Sequence, residues 1–164
     1  MPLVVEGVTG WSPKQVGLFA TVPMGMALLA TIFIGNSASK RKESRLHVGI
    51  PLVAAAIGFL MWASASNTTV VIIAVMLVAI GTYAPMGTWW TIPTTFLSGA
   101  AAAAGATGLI NSVGNIGGWI GPYAIGWVKD ASGGADGALY ALAISLLISA
   151  IMVFCLGKIH PDTK

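Results

Sequence analysis

An all-α integral membrane fold of about five transmembrane helices is what this sequence predicts, and three observations carry that prediction. Of 164 residues, 56% are hydrophobic and 8% charged, about a third of the charge usual in a soluble domain. From residue 46 to residue 128 there is no Asp, Glu, Lys or Arg, and a soluble fold could not expose so long an uncharged stretch without aggregating. Strict polar–apolar alternation is absent, which excludes a β-barrel; the spans must then be helices that satisfy their own backbone groups. Disordered and nucleic-acid-binding classes fall with the same composition, because both need dense charge.

A helix crosses the hydrocarbon core with about 20 residues, and the chain divides on that scale. The first helix is expected over residues 16–35, entered through Ser12-Pro13, a capping residue followed by a first-turn proline. The second is expected over 48–65, stopping at the Ser66-Asn67-Thr68 turn, and the third over 70–94. A hinge of small residues, Ser98 to Gly105, leads to the fourth, over 106–128. A polar loop, Lys129–Gly137 with Asp130, Gly133, Gly134 and Asp136, precedes the fifth, over 139–156.

Lysine and arginine set the expected orientation. Lys40, Arg41, Lys42 and Arg45 form a basic loop after the first helix, and Lys158 and Lys164 in the C-terminal tail fall on the same side. Only Lys14 and Lys129 fall opposite. The 36–47 loop and the C-terminus are therefore expected in the cytoplasm and the N-terminus outside. Residues 1–10 show neither a basic n-region nor a long apolar h-region. An odd number of spans with an outside N-terminus and no signal peptide is the design expected of a fragment. Cys155 is the single cysteine, so no intrachain disulfide can form.

Catalytic constellations are missing. No carboxylate lies inside a span, so there is no acid–base pair and no charged proton relay. His47 and His160 sit at helix ends as interfacial residues, and no His/Cys/Asp cluster has metal-ligand spacing. A Gly-Lys-Ser/Thr phosphate loop is absent. No catalytic residue, metal or cofactor is expected, and the chain is not expected to be an enzyme.

The fourth helix carries the most informative pattern. At 100° per residue Asn111, Asn115, Gly118 and Pro122 fall within about 60° of one another. Gly114, Gly117 and Gly121 form the neighbouring stripe, a spacing of small residues that permits close helix approach. Two amides on one face should avoid lipid. They either hydrogen-bond between helices, worth about 1 kcal/mol each, or touch a polar solute. On the third helix Tyr83, Gly87, Trp90 and Thr94 share a similar stripe, provided the helix continues past Pro85 and Pro93. That stripe serves either packing and an interfacial aromatic belt, which Trp89 and Trp90 fit, or a central site flanked by broken helices.

The stretch WWTIPTTFLSGAAAAAGATGLINSVGNIGGWIGPYAIGWVKDASGG, Trp89 to Gly134, resembles helices ten to twelve of the major facilitator superfamily. More narrowly it resembles the anion:cation symporter family, whose bacterial members import organic acids such as tartrate, glucarate, phthalates and hydroxyphenylacetate. Gly10-Trp11-Ser12 to Val16-Gly17-Leu18 is similar to the outer loop between helices seven and eight, and the basic loop to that between eight and nine. The resemblance implies helices eight to twelve of the C-terminal bundle, with the first six and most of the seventh missing. It departs from the family at Ser39, where the Gly-x-x-x-Asp-Arg loop motif that begins at Gly35 would carry Asp.

The resemblance further implies a proton-coupled symporter of organic acid anions in the bacterial inner membrane, with substrate and proton as partners, no nucleic acid, and the charged groups chiefly in the missing N-terminal bundle. It makes Trp90 and Asn111 the foremost substrate contacts, followed by Tyr83 and Asn115. Gly114, Gly117, Gly118 and Gly121 become packing that slides during alternating access. Alone, the fragment is expected to be inactive. The alternative is a small membrane interaction or assembly protein, or one chain of a split transporter.

Overall fold

The computed structural model describes residues 10–97 and 99–156, so the expectations placed on residues 1–9, Ser98, Lys158, His160 and Lys164 lie outside the described residues. Among the described residues the chain folds as α1 (Pro13–Arg41), α2 (Arg45–Ala63), α3 (Thr68–Tyr83), α4 (Met86–Trp89), α5 (Thr91–Phe96), α6 (Ala100–Ala131) and α7 (Ala135–Cys155). It is an all-α multi-pass bundle. Four stretches are long and apolar enough to cross a membrane: α1, α2, the run Thr68–Thr94 that spans α3 to α5, and α7. The fourth expected span, α6, has ample length at 32 residues but is absent from this apolar group. Its glycines, Asn111, Ser112 and Asn115 dilute its hydropathy.

Helix α1 starts on a reciprocal cap. Ser12 Oγ accepts from the Gln15 N–H at 3.4 Å, and Gln15 Oε1 accepts from the Ser12 N–H at 2.9 Å. Pro13 occupies the first turn, where a missing N–H costs nothing. The helix outruns its expected end because Asn36 to Arg41 includes no strong breaker. It closes at Lys42, which adopts φ 50°, while the Glu43 N–H reaches back to Ala38 O at 3.1 Å. This is the left-handed helix stop usually given to glycine. The basic segment is consequently no extended loop. Lys40 and Arg41 belong to the last turn of α1, Arg45 is the first residue of α2, and only Lys42, Glu43 and Ser44 connect the two.

The core lies in the slab formed by α2, α3 and α7. Ala56, Phe59, Trp62, Val71, Ala74, Val75, Val78 and Ala143 interlock there, and Val48, Ile92 and Val153 make a smaller cluster at the Lys42 end. Small residues let the backbones approach. A Cβ added at Gly58 would lie 2.9 Å from Ala74 O, and one added at Gly81 would lie 2.7 Å from the Ala55 backbone nitrogen. At Gly49 the added atom would meet the Phe154 ring of α7.

The third span is segmented instead of continuous. Ala84, Pro85 and Trp90 keep right-handed backbone angles, yet Pro85 and Pro93 cannot donate to the carbonyls four residues back, so the ladder breaks. The start of the chain after Gly99 differs in the opposite sense. Ala100 to Gly105, expected as hinge, is already helical, because a run of alanines is the best helix former. Among the described residues of this break, Leu97 is extended and Gly99 takes φ 103°. The expected polar loop at 129–137 likewise shrinks to Ser132, Gly133 and Gly134 between α6 and α7, with Gly133 at φ 74°.

Candidate functional site

Tyr83 ends α3 and is 50% exposed. Its carbonyl accepts from Thr31 Oγ1 of α1 at 3.4 Å, which ties the break after Tyr83 to the first helix. Trp90 stands at the joint between α4 and α5 and is half-buried; its carbonyl accepts from Thr94 Oγ1 at 3.4 Å. The segmentation thus divides the proposed aromatic stripe, with Tyr83 on an open flank and Trp90 partly packed.

Asn111 and Asn115 lie on α6, where every residue from 111 to 120 is exposed. This helix packs on α7 and meets α5, and it has no buried residue. Gly114, Gly117, Gly118 and Gly121 are open as well: an added Cβ at any of them would have no neighbour within 4 Å. Within the described residues these glycines therefore do not mediate a close helix pair, and that role falls to Gly49, Gly58 and Gly81. The amides and glycines together make one uncovered face, flanked by Trp119 and Tyr123, whose rings are 5.8 Å apart.

A polar cluster at the Lys42 end went unrecognised as a unit in the sequence. Arg45 Nη1 donates to Phe154 O at 3.3 Å and also to Leu156 O, so its guanidinium caps the C-terminus of α7. Glu43 Oε1 lies 3.8 Å from Arg45 Nε. Glu43 Oε2 accepts from the Leu46 N–H at 2.9 Å and lies 3.3 Å from His47 Nδ1. His47 Nε2 is 2.9 Å from Ser37 Oγ, and Ser44 Oγ is 3.0 Å from Thr91 Oγ1. Four helices meet in these bonds. Ser39 offers no carboxylate, and among the described residues the acid in this cluster is Glu43. The i,i+4 spacing of Glu43 and His47 was the available sequence signal.

Thr88 is a second omission. It is 4% exposed, and its hydroxyl has no hydrogen-bond partner. Burying an unpaired hydroxyl costs about 1–3 kcal/mol, so Thr88→Val should leave thermal stability unchanged or raise it. A marked loss of stability in a melting experiment would show that the hydroxyl has a partner in the folded protein.

A cavity of about 770 Å³ opens where α2 and α6 end and α3 and α7 begin, lined among others by Phe59, Trp62, Lys129 and Asp136. None of Tyr83, Trp90, Asn111 and Asn115 lines it. Among the described residues no three His, Cys, Asp or Glu side chains come together as a metal site.

The chain is 40% identical over 153 residues to a candidate tartrate transporter of Agrobacterium vitis, covering 93% of this chain and 35% of that protein. It is 29% identical to a quinolone resistance transporter of Acinetobacter baumannii, covering 94% of this chain and 35% of that protein. It is 32% identical to the inner membrane transport protein RhmT of Escherichia coli K12, covering 95% of this chain and 36% of that protein. No family model matches the chain, and no solved structure gives a significant match. The chain is thus homologous to bacterial multi-pass transporters rather than to enzymes, and it spans about a third of the length of the relatives it matches.

Proposed function

We propose that this chain is the C-terminal part of a secondary active transporter of the major facilitator type, and within it of the anion:cation symporters, moving organic acid anions with protons by alternating access. The observation that carries this is the uncovered face of α6. A helix of 32 residues with no buried position, two aligned amides and four open glycines is half of an interface. Lipid is a poor partner for those amides. Helices outside the described residues would cover the glycines, and Asn111 and Asn115 would then face a watered path with Trp90 and Tyr83.

Tartrate and a quinolone appear in the names of relatives with nearly equal coverage, so the substrate class comes from the family resemblance and not from this third of the protein. The described spans between Arg45 and Lys129 hold no charged residue. Charge for the anion and carboxylates for the proton would therefore come from the other bundle, leaving amides and aromatic rings as this chain's contribution. The open α6 face suits the second reading equally, in which the covering helices belong to a separate chain of a split transporter.

Uptake of radiolabelled dicarboxylates by cells expressing the gene from its native locus tests the proposal. Uptake should be proton-gradient dependent, and Asn111→Leu or Trp90→Ala should cut it about tenfold or more, the value of one lost polar or aromatic contact near 1.4 kcal/mol. Unchanged affinity and rate in both variants would overturn the site assignment. For orientation in the bacterial inner membrane, a reporter fused after Lys164 should be active only in its cytoplasmic form, with the Lys40–Lys42 segment on the same side. An externally active reporter would reverse the proposed topology.

A further inference from the structure

The cavity at the ends of α2, α3, α6 and α7 lies where four helices terminate, so it opens at a membrane–water boundary. Its lining is mostly apolar, with Ser66, Asn67 and Thr68 among the lining residues, and it carries charges of both signs at Lys129 and Asp136. Phe59 and Trp62 form one wall, their rings parallel within 1° at 6.5 Å between centroids, and Leu139 and Leu142 of α7 line it as well. Lys129 sits in the last turn of α6 and Asp136 in the first turn of α7. Each charge thus stands at the helix end whose dipole favours it. Both line the cavity, and neither takes part in an ion pair among the described residues.

We propose that this cavity holds one zwitterionic phospholipid with a primary ammonium headgroup, its phosphate at Lys129 and its ammonium at Asp136. About 770 Å³ is within the range of small-molecule sites, enough for a headgroup and the first part of its chains. The chains gain little over bulk lipid, since bilayer tails are as apolar as Leu and Phe side chains. Selectivity must come from the headgroup. An anionic lipid would satisfy Lys129 and be repelled by Asp136. A choline lipid would match both signs, yet it carries no N–H to donate to the carboxylate. The primary ammonium satisfies both residues at once.

Native mass spectrometry of the protein, extracted from bilayers of equal phosphatidylethanolamine, phosphatidylglycerol and phosphatidylcholine, reads the site directly. One retained phosphatidylethanolamine is expected, favoured about tenfold over each of the others, the effect of one charge-assisted hydrogen bond. Asp136→Asn keeps an acceptor but removes the charge, so it should diminish the preference over phosphatidylcholine, and Lys129→Gln should lower retention of all three. Both positions are exposed, so neither change threatens the fold. Retention of no lipid, equal retention of the three, preference for phosphatidylglycerol, or an undiminished preference in Asp136→Asn would each overturn the proposal.

Discussion

Gly81→Leu should unfold the α2–α3 pair, whereas Gly118→Leu should leave the bundle intact. An added Cβ at Gly81 meets the Pro51 carbonyl and lies 2.7 Å from both the nitrogen and the Cβ of Ala55. Backbone cannot rotate away as a flexible side chain can, so the two helices must separate. Overpacking typically costs about 1–3 kcal/mol, and a rigid backbone neighbour places this site at or above the upper end. The separation would also open the core around Ala56, Val75 and Val78. Gly118 has nothing within 4 Å of an added Cβ, and its replacement should shift stability by under about 0.5 kcal/mol. Thermal unfolding of the two variants in the same detergent decides the matter; equal midpoints would contradict the close α2–α3 contact. If the α6 face is covered by further helices, Gly118→Leu should instead abolish uptake while sparing the melting point of this chain.

Arg45→Gln carries the second large effect. Arg45 serves two terminal carbonyls of α7 and stands beside Glu43. A hydrogen bond to a charged group is worth about 1.5–3 kcal/mol, and the partial exposure of this guanidinium reduces that by solvent screening. Loss of about 1–2 kcal/mol is expected, concentrated where α7 ends. Hydrogen exchange should show faster exchange at residues 152–156 with little change in α3. Arg45→Lys keeps the charge but cannot bridge both carbonyls and the carboxylate, so its protection should fall between the two. Unaltered exchange in Arg45→Gln would mean that the Phe154 ring seated on Gly49 suffices to hold the helix end.

Much of the fold was legible because a membrane makes secondary structure a local problem. Each span must satisfy its own backbone bonds over a fixed length, so runs of apolar residues between Ser12-Pro13, Ser66-Asn67-Thr68 and Gly133-Gly134 marked the helices. The caps followed the same logic: Ser12 closes on Gln15, and Asn67 Oδ1 accepts from the Val70 N–H at 3.0 Å. The errors sat at joints. Six consecutive helical residues at 100–105 looked like a hinge because small residues suggest flexibility, while alanine in fact favours helix. Lys42 took a left-handed angle that lysine rarely adopts, so a tight stop looked like an open basic loop.

The sequence by itself determined a multi-pass helical membrane protein, the approximate places of its helices, and one α6 face where amides and glycines align. Those features depend on composition and on a single helix's own periodicity. Tertiary structure alone decided which glycines are compressed, Gly49, Gly58 and Gly81 and not the α6 stripe. It also turned Arg45 from one cation of a basic run into the cap of a helix more than a hundred residues away. Beyond their polar first turns, helices α2, α3 and α7 are apolar on nearly all sides, and such helices carry no stripe that points to a neighbour. Their rotation and spacing are fixed only when two surfaces meet and small residues find the places where backbones can touch.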